Sequence, residues 1–169
     1  MKKFIFTLLT LCVSITVDAQ SWIVDTIAGD ELLGTKSCIG YAFQDVENGK
    51  EFIIYDNNNE DFYLCVESEV FDFDGGGASG GKMVRGLVGI YDENGKLIKK
   101  YEKYCFESVG SFYNKVHSNK YSNMGGNNKK NAKNIIEHLK KGKGSVRFVL
   151  PLYQSFQFDF TVPCMNNDK

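Results

Sequence analysis

From Phe156 to Val162 the chain alternates without a break. Phe156, Phe158, Phe160 and Val162 fall on one side, and Gln157, Asp159 and Thr161 on the other. Successive side chains of a strand point to opposite faces, so this pattern predicts a strand with one buried and one wet face. Just upstream, Val146, Phe148 and Leu150 alternate with Arg147 and Val149, and the stretch from Pro151 to Ser155 marks a turn. Gly144 to Cys164 therefore reads as a hairpin. Its phenylalanine face requires a second layer, which the upstream strands must supply.

Ile39, Tyr41 and Phe43 alternate with Gly40, Ala42 and Gln44, which predicts a strand. Asn48-Gly49 then signals a hairpin, because a type I′ turn needs positive φ at both central residues, and Phe52 to Tyr55 is the returning strand. Phe62 to Phe73 is the next apolar run. Met83 to Tyr91 and Lys96 to Phe106 flank Asn94-Gly95 and form a second hairpin of the same kind. Upstream, Trp22-Ile23-Val24 precedes a loop from Asp25 to Gly34, with Trp22 expected to seal one end of the core. Val109 to Lys130 is polar and rich in Asn, Ser and Gly, and little regular structure is expected there.

The period changes once. Ala132, Ile135, Ile136 and Leu139 follow the i, i+3, i+4, i+7 spacing of a helical stripe within Asn131 to Lys141, which Gly142 and Gly144 terminate. The chain is thus expected to be mainly β: an antiparallel β-sandwich of about seven strands with one amphipathic helix before the last hairpin. A flattened β-barrel is the alternative.

The first nineteen residues have the order of a signal peptide. Lys2 and Lys3 precede an apolar run from Phe4, and Val17-Asp18-Ala19 supplies the cleavage pattern. Cleavage after Ala19 leaves residues 20–169 as a single domain, exported to the periplasm or beyond the cell. That domain has 18 basic against 20 acidic residues, a net charge of −2. Such a balance lacks the electrostatic footprint of a nucleic-acid binder, and no later run is apolar enough to span a bilayer. Cys38, Cys65, Cys105 and Cys164 remain after cleavage. An even number in an oxidising compartment predicts two disulfides, with Cys38–Cys65 and Cys105–Cys164 favoured among the three pairings.

Candidate chemistry is sparse. Asp56, Asn58, Glu60 and Glu67 match EF-hand positions one, three, five and twelve, but Asp61 occupies the position that requires glycine. Weak calcium binding by that acidic turn is the one cofactor the spacing allows. Gly76 to Lys82 imitates a phosphate-binding loop, yet Met83 replaces the magnesium-binding hydroxyl and a strand follows instead of a helix. His117 and His138 have no partner at metal-ligand spacing, and no Gly-x-Ser-x-Gly elbow occurs. Asp72 and Asp74 are paired carboxylates of the type a glycoside hydrolase uses. On the second hairpin, Tyr91, Tyr101 and Tyr104 mix with Lys96, Lys99, Lys100 and Lys103, and the three tyrosines are candidate ligand anchors.

Trp22-Ile23-Val24 with its following Gly29-to-Gly34 turn, Ile135-Ile136-Glu137-His138-Leu139, Gly144-Ser145-Val146-Arg147-Phe148 and terminal Phe158-Asp159-Phe160 resemble one known group. It comprises small exported bacterial β-sandwich proteins similar to invasion-associated locus B protein and the type VI secretion accessory protein VasI. The resemblance implies the fold and export, and it brings no active-site residues. The Ala19-Gln20 junction looks like those of Bacteroides-type bacteria. The expected function is a non-catalytic extracytoplasmic binding or accessory module whose partner is a glycan, a peptide or an envelope protein. A structural or protein-interaction subunit of the envelope is the alternative, and a glycoside hydrolase-like enzyme ranks behind both.

Overall fold

The computed structural model describes residues 20–29, 32, 36–55, 61–66, 83–109, 112–118, 128–152 and 157–167. Nine strands and one helix follow in the order β1 (Gln20–Ile27), β2 (Cys38–Asp45), β3 (Lys50–Tyr55), β4 (Phe62–Val66), β5 (Met83–Tyr91), β6 (Leu97–Val109), β7 (Phe112–Ser118), α1 (Asn128–Lys141), β8 (Ser145–Pro151) and β9 (Gln157–Pro163). All neighbours are antiparallel, in one sheet of order β1-β2-β3-β4-β7-β6-β5-β8-β9. The mainly β, antiparallel expectation holds. The sheet is not closed into a barrel, which removes the flattened-barrel alternative.

The sheet curls so that its inner faces meet. Phe52 of β3 stacks on Phe148 of β8 with ring centroids 5.5 Å apart, and Phe43 of β2 meets Phe160 of β9 at 5.9 Å. Phe158, Phe160 and Val162 are buried while Gln157 and Thr161 are exposed, as the alternation requires. In α1, Ala132, Ile135, Ile136 and Leu139 join the same core, and the helix begins at Asn128, three residues before the expected Asn131. Trp22 closes one end as expected. Its ring packs on Phe43 and Phe52, and its Nε1 donates to the Pro163 carbonyl at 2.9 Å.

Two strands were not legible in the pattern. β1 extends to Ile27 where a loop was expected, because it bears apolar residues on both sides and so shows no alternation. β7 lies inside the stretch expected to be irregular. Its inner face holds Val116 followed by the buried Ser118, so a polar residue stands where a second apolar one would have marked a strand.

The two Asn-Gly turns are longer than the two-residue type I′ loop. Asp45 pairs with Lys50 across four residues, and Gly49 (φ 57°) donates to the Val46 carbonyl at 3.4 Å. Here the buried Asp45 carboxylate takes Asn48 Nδ2 at 2.8 Å and the Asn48 N–H at 3.3 Å. In the second turn the Asp92 carboxylate accepts the N–H groups of Asn94 and Lys96, each at 2.9 Å. An aspartate upstream of each Asn-Gly thus holds the turn open by an Asx-type bond.

Candidate binding face

The β5–β6 hairpin decides where the three candidate tyrosines go. A strict period of two would put Tyr101 and Tyr104 on opposite faces. Register shifts between Gly86 and Val88: Val88 faces Tyr101, and Gly86 faces Tyr104. Three steps on β6 match two on β5, a bulge that turns both tyrosines toward the core. Tyr104 is 2% exposed and packs on Phe106 and Phe62; Tyr101 lies against it, centroids 6.0 Å apart. Burial raises the Tyr104 phenol far above its ordinary range despite the neighbouring Ser118 hydroxyl. The expected three-tyrosine face is therefore corrected: Tyr104 is a core residue, Tyr101 is half-buried and packed against the core, and Tyr91 is half-buried on the outer face.

Around Tyr91 the outer face of β5, β6 and β8 forms an open groove of about 460 Å³. Its floor is Leu87, Gly89, Leu97 and Val149, with Leu87 and Leu97 about 40% exposed. Gly89 makes room for the ring. A Cβ there would stand 2.8 Å from Tyr91 Cε2 and 3.2 Å from its hydroxyl, so the ring lies down over the glycine. Lys100 and Arg147 face Gly89 from the two flanking strands.

These cations are already paired. Arg147 Nε reaches Asp159 Oδ1 at 2.8 Å and its second arm reaches Oδ2 at 2.5 Å, a two-pronged contact that lowers the Asp159 carboxyl below its usual range. Lys100 Nζ lies 3.0 Å from Glu102. The groove thus offers an apolar, aromatic floor with a polar rim of little net charge. Sequence reasoning named Tyr91 but missed Leu87, Gly89 and Val149, whose exposure depends on which way the bulged hairpin faces.

A polar cluster stands where β4, β7 and β6 meet. Ser118 donates to Asp61 Oδ1 at 2.5 Å and accepts the Phe62 N–H at 3.1 Å, while His117 Nδ1 lies 3.3 Å from Asp61 Oδ2 and Nε2 lies 3.9 Å from Glu107. The Ser118 hydroxyl bonds the Asp61 carboxylate and is 1% exposed. The cluster pins the start of β4 to the end of β7. His138 has a comparable role: its Nε2 lies 3.2 Å from the Tyr91 carbonyl and ties α1 to the hairpin.

Neither favoured disulfide forms, and all four cysteines are thiols. Cys65 aligns through Glu51 with Gln44, six residues from Cys38 along β2. That is about 20 Å at the rise of a strand, against roughly 7 Å for a bridge. Cys105 pairs with Arg85, whereas Cys164 bonds Gly144 beside the far end of β5, six residues away at Tyr91. Burial pushes the Cys65 and Cys164 thiols up to about 11, so both are weak nucleophiles at neutral pH.

The acidic turn with Asp56, Asn58 and Glu60, the pair Asp72 and Asp74, and the glycine-rich Gly76 to Lys82 lie outside the described residues. Among the described residues no three His, Cys, Asp or Glu side chains are grouped to hold a metal ion, and no helix is long and apolar enough to cross a membrane. Comparison with known proteins finds no matching family model, no similar curated protein and no similar solved structure.

Proposed function

We propose that this protein is a non-catalytic extracytoplasmic binding module that takes a saccharide chain on the outer groove of β5, β6 and β8. The observation that carries the reading is the Tyr91 ring laid over Gly89 between Leu87, Leu97 and Val149. An aromatic ring on a rigid strand offers a sugar's C–H face an apolar platform at low entropic cost, and few polar groups then suffice to set its orientation. The ion-paired Arg147–Asp159 and Lys100–Glu102 rims provide donors and acceptors for hydroxyl groups without a net charge that would select an anion. The near-neutral composition points the same way. Export rests on the Lys2-to-Ala19 segment.

The test is a thermal-shift screen of wild type and Tyr91→Ala against neutral oligosaccharides, extended peptides and calcium. One oligosaccharide class should raise the melting temperature of wild type, by an amount corresponding to about 2.7 kcal/mol at a hundredfold excess over Kd. Tyr91→Ala should melt normally and lose the shift. A shift that survives Tyr91→Ala, or one given only by peptides or calcium, would overturn the reading. A role as a protein-interaction subunit of the envelope rests on a different surface, the open edge of β1.

A further inference from the structure

The sheet has two edges and treats them differently. Along β9, Lys50 Nζ donates to the Asp159 carbonyl at 2.8 Å, Trp22 Nε1 donates to the Pro163 carbonyl at 2.9 Å, and Pro163 has no N–H to offer. Side chains from β3 and β1 therefore occupy the edge at which another strand would add. Among the described residues β1 has no such cover. It pairs with β2 along all eight residues, and among the described residues its other backbone bond is local, from the Thr26 N–H to Asp25 Oδ1 at 2.7 Å.

The side chains make β1 more inviting still. Ile23 and Ile27 are 46% and 39% exposed on one face, and Val24 is 60% exposed on the other, beside Ile39 of β2 at 43%. Lysine and proline are the usual guards of an edge, and Gln20–Ile27 contains neither. Its one charged residue is Asp25.

We propose that β1 pairs with β1 of a second copy of this chain, antiparallel about a two-fold axis, joining the two sheets across a dimer. Such an interface is isologous, so one strand must complement itself. Centred on Ile23, the pairing sets Ile23 against Ile23, Trp22 against Val24, and Asp25 against position 21. The apolar rows then continue across the axis. The two Asp25 carboxylates fall four residues apart, about 13 Å, beyond the roughly 8 Å over which charges act at physiological salt. A formal net charge of −2 for residues 20–169 leaves little repulsion between copies.

The experiment is sedimentation equilibrium on protein purified from cells expressing the full 169-residue chain, beside Ile23→Lys, Val24→Lys and the outer-face control Leu97→Lys. Wild type and Leu97→Lys should sediment at twice the monomer mass in the micromolar range. Ile23→Lys and Val24→Lys should weaken dimerisation at least a hundredfold, with far-UV circular dichroism unchanged because both side chains are exposed in the monomer. A monomeric wild type would overturn the proposal and leave β1 to a strand from another protein. Dimers that survive both β1 substitutions would overturn it in favour of another surface. If either lysine variant proves misfolded, hydrogen exchange on wild type decides: concentration-dependent protection of Trp22–Thr26 amides supports the dimer, and its absence refutes it.

Discussion

Two glycines on β5, three residues apart, face opposite ways and serve opposite ends. Gly86 faces the core, where an added Cβ would meet the Val149 carbonyl oxygen at 2.8 Å and Leu150 Cγ at 2.9 Å. Gly89 faces outward, where the same atom would meet the ring of Tyr91. The inner side is closed partly by backbone that cannot retreat; the outer side is closed by the side chains of Tyr91 and Leu97, which can swing away. One hairpin therefore separates residues that hold the fold from residues able to meet a ligand, and the bulge opposite Gly86–Val88 assigns Tyr101 and Tyr104 to the first group.

The largest effect should come from the inner tyrosine. Tyr104→Ala removes a ring packed on Phe62 and Phe106 and should cost about 3–5 kcal/mol in chemical denaturation. Tyr91→Ala should cost under about 1 kcal/mol, since its half-buried ring lies on the outer face. Equal losses at the two positions would erase the distinction between the faces. Next come the glycines. Gly86→Ala should destabilise by about 1–3 kcal/mol through overpacking, whereas Gly89→Ala should leave stability almost unchanged and displace Tyr91, weakening saccharide binding without unfolding.

The smallest effect concerns Arg147 and Asp159. Arg147 holds the Asp159 carboxyl below its unfolded value of roughly 3.9, so the pair's contribution is present above that pH and is lost as pH falls through the folded value. Both side chains are more than 40% exposed, so solvent screening limits the contribution to under about 1 kcal/mol. Asp159→Asn should flatten the acid limb of the stability curve by that amount and no more. Alkylation of the unfolded, unreduced domain of residues 20–169 should add four groups, one for each of Cys38, Cys65, Cys105 and Cys164.

Much of the architecture was legible because burial imposes a period. Phe158, Phe160 and Val162, or Ile135, Ile136 and Leu139, could be placed on buried faces from spacing alone. β1 and β7 escaped because one is apolar on both sides and the other fills an inner position with Ser118. The binding face was legible only in Tyr91. Which tyrosines point outward depends on a single extra residue in β6, and nothing local in Tyr101-Glu102-Lys103-Tyr104 marks it. The disulfide expectation failed for a related reason. Cysteine number is a property of composition, whereas bridging depends on register, and register sets Cys38 about 20 Å along the strands from Cys65.

The most direct test of the outer groove is a chemical-shift titration of isotope-labelled protein with the oligosaccharide that gives the largest thermal shift. Amide signals of Leu87, Gly89, Tyr91, Arg147 and Val149 should move in a saturable way, while those of Val84, Tyr104 and Phe106 stay in place. Saturable changes confined to β1 or to the Asp45–Lys50 turn, or none in the outer face of β5 and β8, would contradict the account.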